Sequence, residues 1–243
     1  MADLYGNTGD GYCYIASQSS WANARDNNGS SGGVTTSTSL AGTAIGVNRS
    51  ATRGGGSAYG LYRTFMYFDT SGITGTVSSA TIKIYGASAN DGSAIAVKST
   101  AFGGDGGTAL AATDLNNIVG FSSGSSLAGL ATDYSAAITT TGYSTSGYND
   151  FTGTADLRAD MQNNNVVIIC FMDYTNDYLN SALTSNASLN YGAYFTNNTG
   201  TSKDPYIEYA LAGYGNNAIG VDGANISKVI GVARADIDKI IGV

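Results

Sequence analysis

The chain of 243 residues contains no histidine. That absence removes His-based nucleophilic triads, HExxH zinc sites and the side chain that most readily moves a proton near neutral pH. Cysteine occurs twice, at Cys13 and Cys170, too far apart in sequence to form a metal-binding motif, so a Cys/His zinc cluster is excluded. Glutamate, proline and tryptophan occur once each, as Glu208, Pro205 and Trp21. Charged residues make up 12% of the chain, about half the usual ~25%. A helical protein needs Ala, Leu, Glu and Lys in quantity, so this shortage argues against one. No run approaches ~18 consecutive apolar residues, so no transmembrane helix and no membrane insertion are expected. The opening MADLYGNTGDGY has neither the basic nor the apolar segment of a secretory signal. GxSxG, Walker A and dinucleotide fingerprints are all missing.

What is abundant is glycine (34) and tyrosine (17), among many Ser, Thr and Asn. Such a composition suits short strands joined by tight turns. The hydrophobic fraction of 42% is enough for a packed core, and the length fits one large β domain. Net charge is −7 with no Lys/Arg cluster, so nucleic acid is not an expected partner.

The stretch Tyr62–Gly86, YRTFMYFDTSGITGTVSSATIKIYG, reads as strand, turn-rich loop, strand. Tyr62 to Asp69 is aromatic and poor in helix formers. Ala80, Ile82 and Ile84 alternate with Thr81, Lys83 and Tyr85, the period of a sheet with one buried face. Further strands are expected at Tyr12–Ile15, 43–49, Ser93–Ala101, Tyr134–Thr141, Ser146–Thr152, Ala193–Thr196 and Pro205–Leu211. Val166–Met172 is apolar on both faces, which predicts a central strand. A short helix is expected after Thr152 or Thr154 as N-cap and before Asn163–Asn165. Residues 108–134 read as a long surface excursion with a helical turn at Ala112–Ile118, and 173–180 (DYTNDYLN) as a polar loop.

Arg63, Phe65, Met66, Phe68, Asp69, Ser71, Ala80, Thr81, Ile82, Ile84 and Tyr85, with the closing Asp204-Pro205-Tyr206-Ile207-Glu208-Tyr209, carry a resemblance over roughly residues 60–210. The pattern resembles the DNRLRE-type modules, jelly-roll domains related to carbohydrate-binding modules. Thr74 stands where that family usually has proline. The resemblance implies an all-β fold, an antiparallel jelly-roll β-sandwich with one short helix, over residues 1–212. It implies little about function, because such modules occur in enzymes, surface proteins and virion appendages alike.

Residues 213–243 form a separate tail. Ile219-Gly220-Val221, Ile230-Gly231-Val232 and Ile241-Gly242-Val243 recur every 11 residues. The apolar sets Ile226, Val229, Ile230 and Ile237, Ile240, Ile241 fit one helical turn per copy, capped by Gly231 or Gly242, with a β-solenoid rung as the alternative. So short a segment cannot bury these side chains alone, and self-association is expected, as a trimer by preference. The repeats resemble the ends of phage structural proteins.

Most carboxylates stand in turn contexts such as Asp91-Gly92 and Asp105-Gly106, so no catalytic role is expected. Asp69 is expected to bond turn amides or to pair with Arg63. Candidate glycan-binding residues are Trp21, Tyr174, Asn176, Asp177 and Tyr178, because aromatic faces stack on sugars and amides share hydroxyls. Trp21 reads alternatively as a plug of the sandwich core. No cofactor is expected, although the loops holding Asn90, Asp91, Asp173, Asn176 and Asp177 leave room for a structural calcium ion. A Cys13–Cys170 disulfide is left open. Together these features lead to the expectation of a non-enzymatic phage virion protein, made in the host cytoplasm without a signal peptide. It would serve as an appendage, fibre or capsid decoration, contacting other virion proteins and host surface glycans. The alternatives are an adhesion module of a bacterial surface protein and, after it, a polysaccharide-degrading enzyme.

Overall fold

The computed structural model describes residues 1–29, 34–37, 41–196, 201–213, 228–229 and 232–233. Within them the chain forms an antiparallel, all-β, jelly-roll-like sandwich made by one curled sheet. Its strands are β1 (Ala2–Tyr5), β2 (Gly11–Gln18), β3 (Val34–Ser37), β4 (Ala41–Ala51), β5 (Ser57–Asp69), β6 (Val77–Asn90) and β7 (Ser93–Lys98). They are followed by β8 (Ile138–Thr139), β9 (Tyr148–Thr152), β10 (Val166–Asp173), β11 (Ala187–Ala193) and β12 (Tyr206–Leu211). The path runs β1-β12-β6-β11-β4-β5-β10-β7-β8, with β9 paired to β6 and β2 paired to β3 and β5.

Two long strands make the curl. The first half of β6 pairs with β12 and β9, and its end, from Gly86 to Asn90, pairs with β11. At the change of partner stands Gly86, where a Cβ would come within 1.9 Å of the Ser144 carbonyl oxygen. Only glycine fits there. Strand β5 gives one edge to β2 and divides the other, with Ser57–Tyr62 on β4 and Thr64–Asp69 on β10. The alternation in Ala80–Tyr85 sends Ala80, Ile82 and Ile84 into the main core, against Met66, Phe68, Ile169 and Phe171 of the facing wall. The expected central strand is β10, between β5 and β7.

A second core explains why β10 is apolar on both faces. Residues 108–134, expected as a surface excursion, do not run free over the surface, and neither does the turn before them. They lie against the outer side of the β2-β5-β10-β7 wall, where Phe102, Leu115, Ile118 and Leu127 are buried with Phe65, Ile168, Cys170 and Met172. The helical turn within them is a 3-10 turn over Ala112–Asn116. A short helix absent from the sequence expectation, α1 (Trp21–Arg25), completes this layer, and the Ser20 hydroxyl caps it by accepting from the Asn23 amide. The expected helix is α2 (Ala155–Asn163), with Thr154 as N-cap. Of the strand expected at Tyr134–Thr141 only Ile138–Thr139 is extended in a ladder, and the strand expected at Ala193–Thr196 lies earlier, at Ala187–Ala193.

Inside the second core sits an ion-pair network. Arg63, fully buried, donates from Nε and Nη2 to Asp177 Oδ2 (2.7 Å) and Oδ1 (2.6 Å), and from Nη1 to the Leu115 carbonyl (2.7 Å) and Asn116 Oδ1. Arg25 donates from Nε to the Asp177 carbonyl (2.8 Å) and from Nη1 to Asp26 (3.0 Å). Both guanidinium groups lie over the Phe121 ring, at 5.1 and 5.2 Å. Burial pulls the Arg25 pKa down, whereas the Asp177 carboxylate outweighs burial at Arg63 and holds its pKa up. The carboxylate of Asp69, by contrast, accepts from the Ser71 amide (3.0 Å) and hydroxyl (2.6 Å), the turn role, and Arg63 does not pair with it.

Cys13 and Cys170 are free and buried. They stand on the strands either side of β5, Cys13 opposite Arg63 and Cys170 opposite Phe65. Two strand spacings separate them, roughly 9.5 Å, beyond the reach of a disulfide. In the tail, Lys228–Val229 (β13) pairs antiparallel with Val232–Ala233 (β14). The backbone at Val229 is therefore extended, which corrects the helical-turn alternative there. Ile226, Ile230, Ile237, Ile240 and Ile241 lie outside the described residues.

Removing the Asp177 carboxylate leaves the buried Arg63 guanidinium without its counter-charge, while Arg25 keeps Asp26. Asp177→Asn is expected to lower stability by about 3–5 kcal/mol, read as a shift of the denaturant midpoint at unchanged m-value. A midpoint within error of wild type would show that the pair contributes little.

Candidate functional site

Of the residues that composition favoured for glycan contact, Trp21, Asn176, Asp177 and Tyr178 are buried and Tyr174 is half-buried. Asp177 is fully buried on Arg63. Asn176 is buried, receiving no ligand-facing role: its amide nitrogen donates to the Ser181 carbonyl (2.6 Å) and its backbone N–H to Asp173 (2.6 Å). Tyr178 is buried and donates its hydroxyl to Asp133 (3.0 Å), while Tyr174, half-buried, stacks on it at 5.3 Å. Trp21 packs in the second core beside Tyr59 and donates from Nε1 to Asn180 Oδ1 (2.9 Å), which is its core-plug reading. What looked like a polar loop at 173–180 is a tight π-type turn over Tyr174–Tyr178, capped by Asp173.

The calcium candidates have structural roles too. Asp91 and Gly92, both at positive φ, make the two-residue connection between β6 and β7. Asp173 caps the π turn, and its burial pushes the carboxyl pKa up to about 6. Among the described residues, no three His, Cys, Asp or Glu side chains converge as a metal site.

The rings that do face outward lie on the other wall. Along β6, the residues between the buried Ile82 and Ile84 and after them, Lys83 and Tyr85, point away from the core. Register carries this outward set sideways: Tyr5 of β1 faces Tyr206 of β12, Tyr206 faces Lys83, Lys83 faces Asp150 of β9, and Tyr85 faces Tyr148. The rings touch in series. Tyr5–Tyr206 centroids are 5.5 Å apart, Tyr206–Tyr148 5.0 Å, Tyr148–Tyr85 5.2 Å and Tyr85–Tyr194 5.4 Å. Tyr5 is 48% exposed and the other four are half-buried.

Hydrogen bonds fix the inner rings of the row. Tyr85 donates its hydroxyl to the Ser146 carbonyl (2.6 Å), and Tyr148 to the Asp204 (3.1 Å) and Ser202 (3.2 Å) carbonyls. Burial, helped by the neighbouring Tyr206, pushes the Tyr148 pKa up to about 12, so the hydroxyl keeps its proton in any physiological medium. Charged groups flank the rings. Lys83 binds both oxygens of Asp150 at 2.9 Å and lies 3.7 Å from Glu208. The Lys203 ammonium sits 4.2 Å from the Tyr194 ring centre and 5.0 Å from that of Tyr85. Aromatic faces beside fixed donors and acceptors are the chemistry that binds the C–H faces and hydroxyls of sugars. The sequence alternation identified Lys83 and Tyr85 as outward. Tyr5, Tyr148, Tyr194 and Tyr206 were missed, because their assembly depends on strand pairings that one sequence does not display.

No family model matches the sequence, and no curated protein matches it.

At the seam between the start and the end of the sandwich, Asp10 is fully buried and accepts from the Thr196 amide (3.0 Å) and hydroxyl (2.9 Å). Burial, with Asp204 nearby as a lesser cause, raises its pKa to about 7. Among the described residues, Oδ1 of buried Asp204 has no hydrogen-bond partner. The folded state thus holds a proton on Asp10 that the unfolded chain releases near its ordinary value of 3.8. Stability from this group is full below about pH 4, falls as pH rises, and levels off above about pH 7. Asp10→Asn is expected to flatten that fall and to raise the melting temperature at pH 8, measured by thermal melts from pH 4.5 to 8. A variant that melts lower than wild type at pH 8 would contradict this.

Proposed function

We propose that the protein is a non-catalytic, glycan-binding β-sandwich carried by a phage virion, in an appendage, fibre or capsid decoration. The observation that carries the glycan reading is the contiguous tyrosine row Tyr5, Tyr206, Tyr148, Tyr85 and Tyr194 on an open sheet face, with Lys83, Asp150 and Glu208 beside it. Stacking on such rings depends on ring area and orientation, and four of the five rings are positioned by β-ladder register or by hydrogen bonds to backbone carbonyls. That preorganisation lowers the entropy cost of binding a flexible sugar chain. The host surface glycan is the ligand on this reading, and the sandwich is the displayed part.

The virion setting is supported by the tail, whose 11-residue repeats resemble those at the ends of phage structural proteins. Repeats that cannot bury their own aliphatic residues serve assembly, by joining copies of this chain, as a trimer on our reading, or by docking on other virion proteins. Display of several sandwiches together multiplies weak single-site affinities.

Two measurements test this. On a glycan array, the full chain is expected to bind a defined set of sugars, and Tyr148→Ala/Tyr206→Ala to weaken binding about tenfold, as the loss of two stacking rings implies. Absence of binding across the array would remove the glycan reading. Deleting residues 214–243 is expected to reduce the molar mass seen by light scattering to that of a single chain. An unchanged oligomer would locate assembly elsewhere.

A further inference from the structure

Three more tyrosines cluster on the opposite side of the fold, and they are not part of the row described above. Tyr12 and Tyr14 of β2 and Tyr62 of β5 sit on the inward side of the wall, where Tyr12 packs against the main core and stacks on Phe195 at 6.1 Å. All three are half-buried. Tyr14 and Tyr62 are direct cross-strand partners, with rings nearly parallel (11°) and centroids 5.5 Å apart. Tyr12 lies 5.8 Å from Tyr14 and 6.3 Å from Tyr62.

Register extends this cluster across the sheet. Tyr62 faces Gly46 of β4, Gly46 faces Asn190 of β11, and Asn190 faces Asn90 of β6. The next row holds Gly60, Asn48 and Ser188. Both glycines are required by close neighbours: a Cβ on Gly46 (φ +149°) would meet the Leu189 carbonyl oxygen at 2.2 Å, and one on Gly60 would meet Asn48 Oδ1 at 2.6 Å. Both glycines are buried, Gly60 beneath the Asn48 amide and Gly46 against the β11 backbone, so the amides close in beside the Tyr62 ring. Further amides follow, with the Asn190 amide donating to Ser188 Oγ (2.9 Å) and that of Asn90 to the Ser188 carbonyl (2.6 Å).

Among the described residues, these two rows carry rings, amides and a hydroxyl, and no charged side chain. The outer tyrosine row, by contrast, is flanked by Lys83, Lys203, Asp150 and Glu208. We infer that the Tyr14–Tyr62 strip is a second saccharide site, selective for an uncharged sugar. The inference rests on the glycan reading of the outer face and adds a distinct ligand class and a second point of attachment. An uncharged pyranose leaves no ionic group unpaired on such a strip, whereas a uronate or sulfate would lose hydration with no cation to replace it. Two sites on one sandwich let a single domain hold two chains, or two points of one chain, and so gain avidity.

Affinity electrophoresis tests it, with the full chain run through gels containing a β-glucan, an α-mannan or a galactan, all uncharged. Tyr14→Ala/Tyr62→Ala is expected to weaken retardation by at least one of these about tenfold, while Tyr148→Ala/Tyr206→Ala leaves that retardation in place. If the outer pair abolishes all retardation and the inner pair changes none, the second site does not exist and the one-site reading stands. Wild-type protein that binds on the array yet is retarded by no uncharged polysaccharide also overturns the inference. No binding in either assay overturns the glycan reading itself. Should the inner double variant fail to fold, Tyr14→Leu, which keeps apolar bulk and removes the ring, decides by the same retardation, and an unchanged value counts against the site.

Discussion

The buried pairing of Arg63 with Asp177 is the interaction on which the arrangement of layers depends. A guanidinium group removed from water must find its counter-charge and all its hydrogen-bond acceptors inside the protein. Arg63 finds them in four places that are far apart in sequence: the Asp177 carboxylate after β10, the Leu115 and Asn116 oxygens of the 3-10 turn, the Arg25 carbonyl at the end of α1, and the Phe121 ring. Each partner belongs to the layer that covers the outer side of the β2-β5-β10-β7 wall. The pair therefore holds the cover in one position, and the cover excludes the water that would weaken the pair. One consequence concerns the surface. With that wall covered on its outer side, the outward-facing tyrosine row lies on the β1-β12-β6-β9 face.

Much of this architecture was legible in the residues. The alternation of Ala80, Ile82 and Ile84 with Thr81, Lys83 and Tyr85 has the period of a half-buried strand, and the structure places the first set in the core. The unbroken apolar run after Asn165 marked a strand covered on both faces, and of the two N-cap candidates, Thr152 and Thr154, the structure uses Thr154 at the start of α2. The covering layer was not legible, for a physical reason. Phe102, Leu115, Ile118 and Leu127 point inward from an irregular backbone, so they recur with no period that distinguishes a covered segment from an exposed one.

The candidate site was less legible still. The Asp, Asn and Tyr residues of 173–180 have the composition of a ligand-binding loop, yet composition does not reveal that Asp177 is the counter-ion of an arginine 114 positions earlier. The tyrosine row fails to show for the complementary reason. Tyr5 and Tyr206 belong to strands from opposite ends of the chain, and Tyr85 meets Tyr148 only because β6 and β9 pair in one register. A shift of a single residue in either pairing would turn half of these rings into the core. The surface is a product of strand pairing, and no short motif encodes it.

The scarcity of charge has a further consequence once the exposed surface is seen to be built of rings and hydroxyls. Ions in solution screen interactions between charged groups over a distance of about 8 Å at physiological salt and about 3 Å at 1 M. They have little effect on the stacking of a neutral ring against a C–H face. Tyr148, whose pKa burial pushes up to about 12, and the rings beside it stay neutral in dilute and in concentrated salt, whereas the flanking Lys83–Asp150 pair is screened. On the glycan reading proposed above, the part of binding made by these rings would vary little with salt, and any salt dependence would come from the flanking Lys83, Asp150, Glu208 and Lys203.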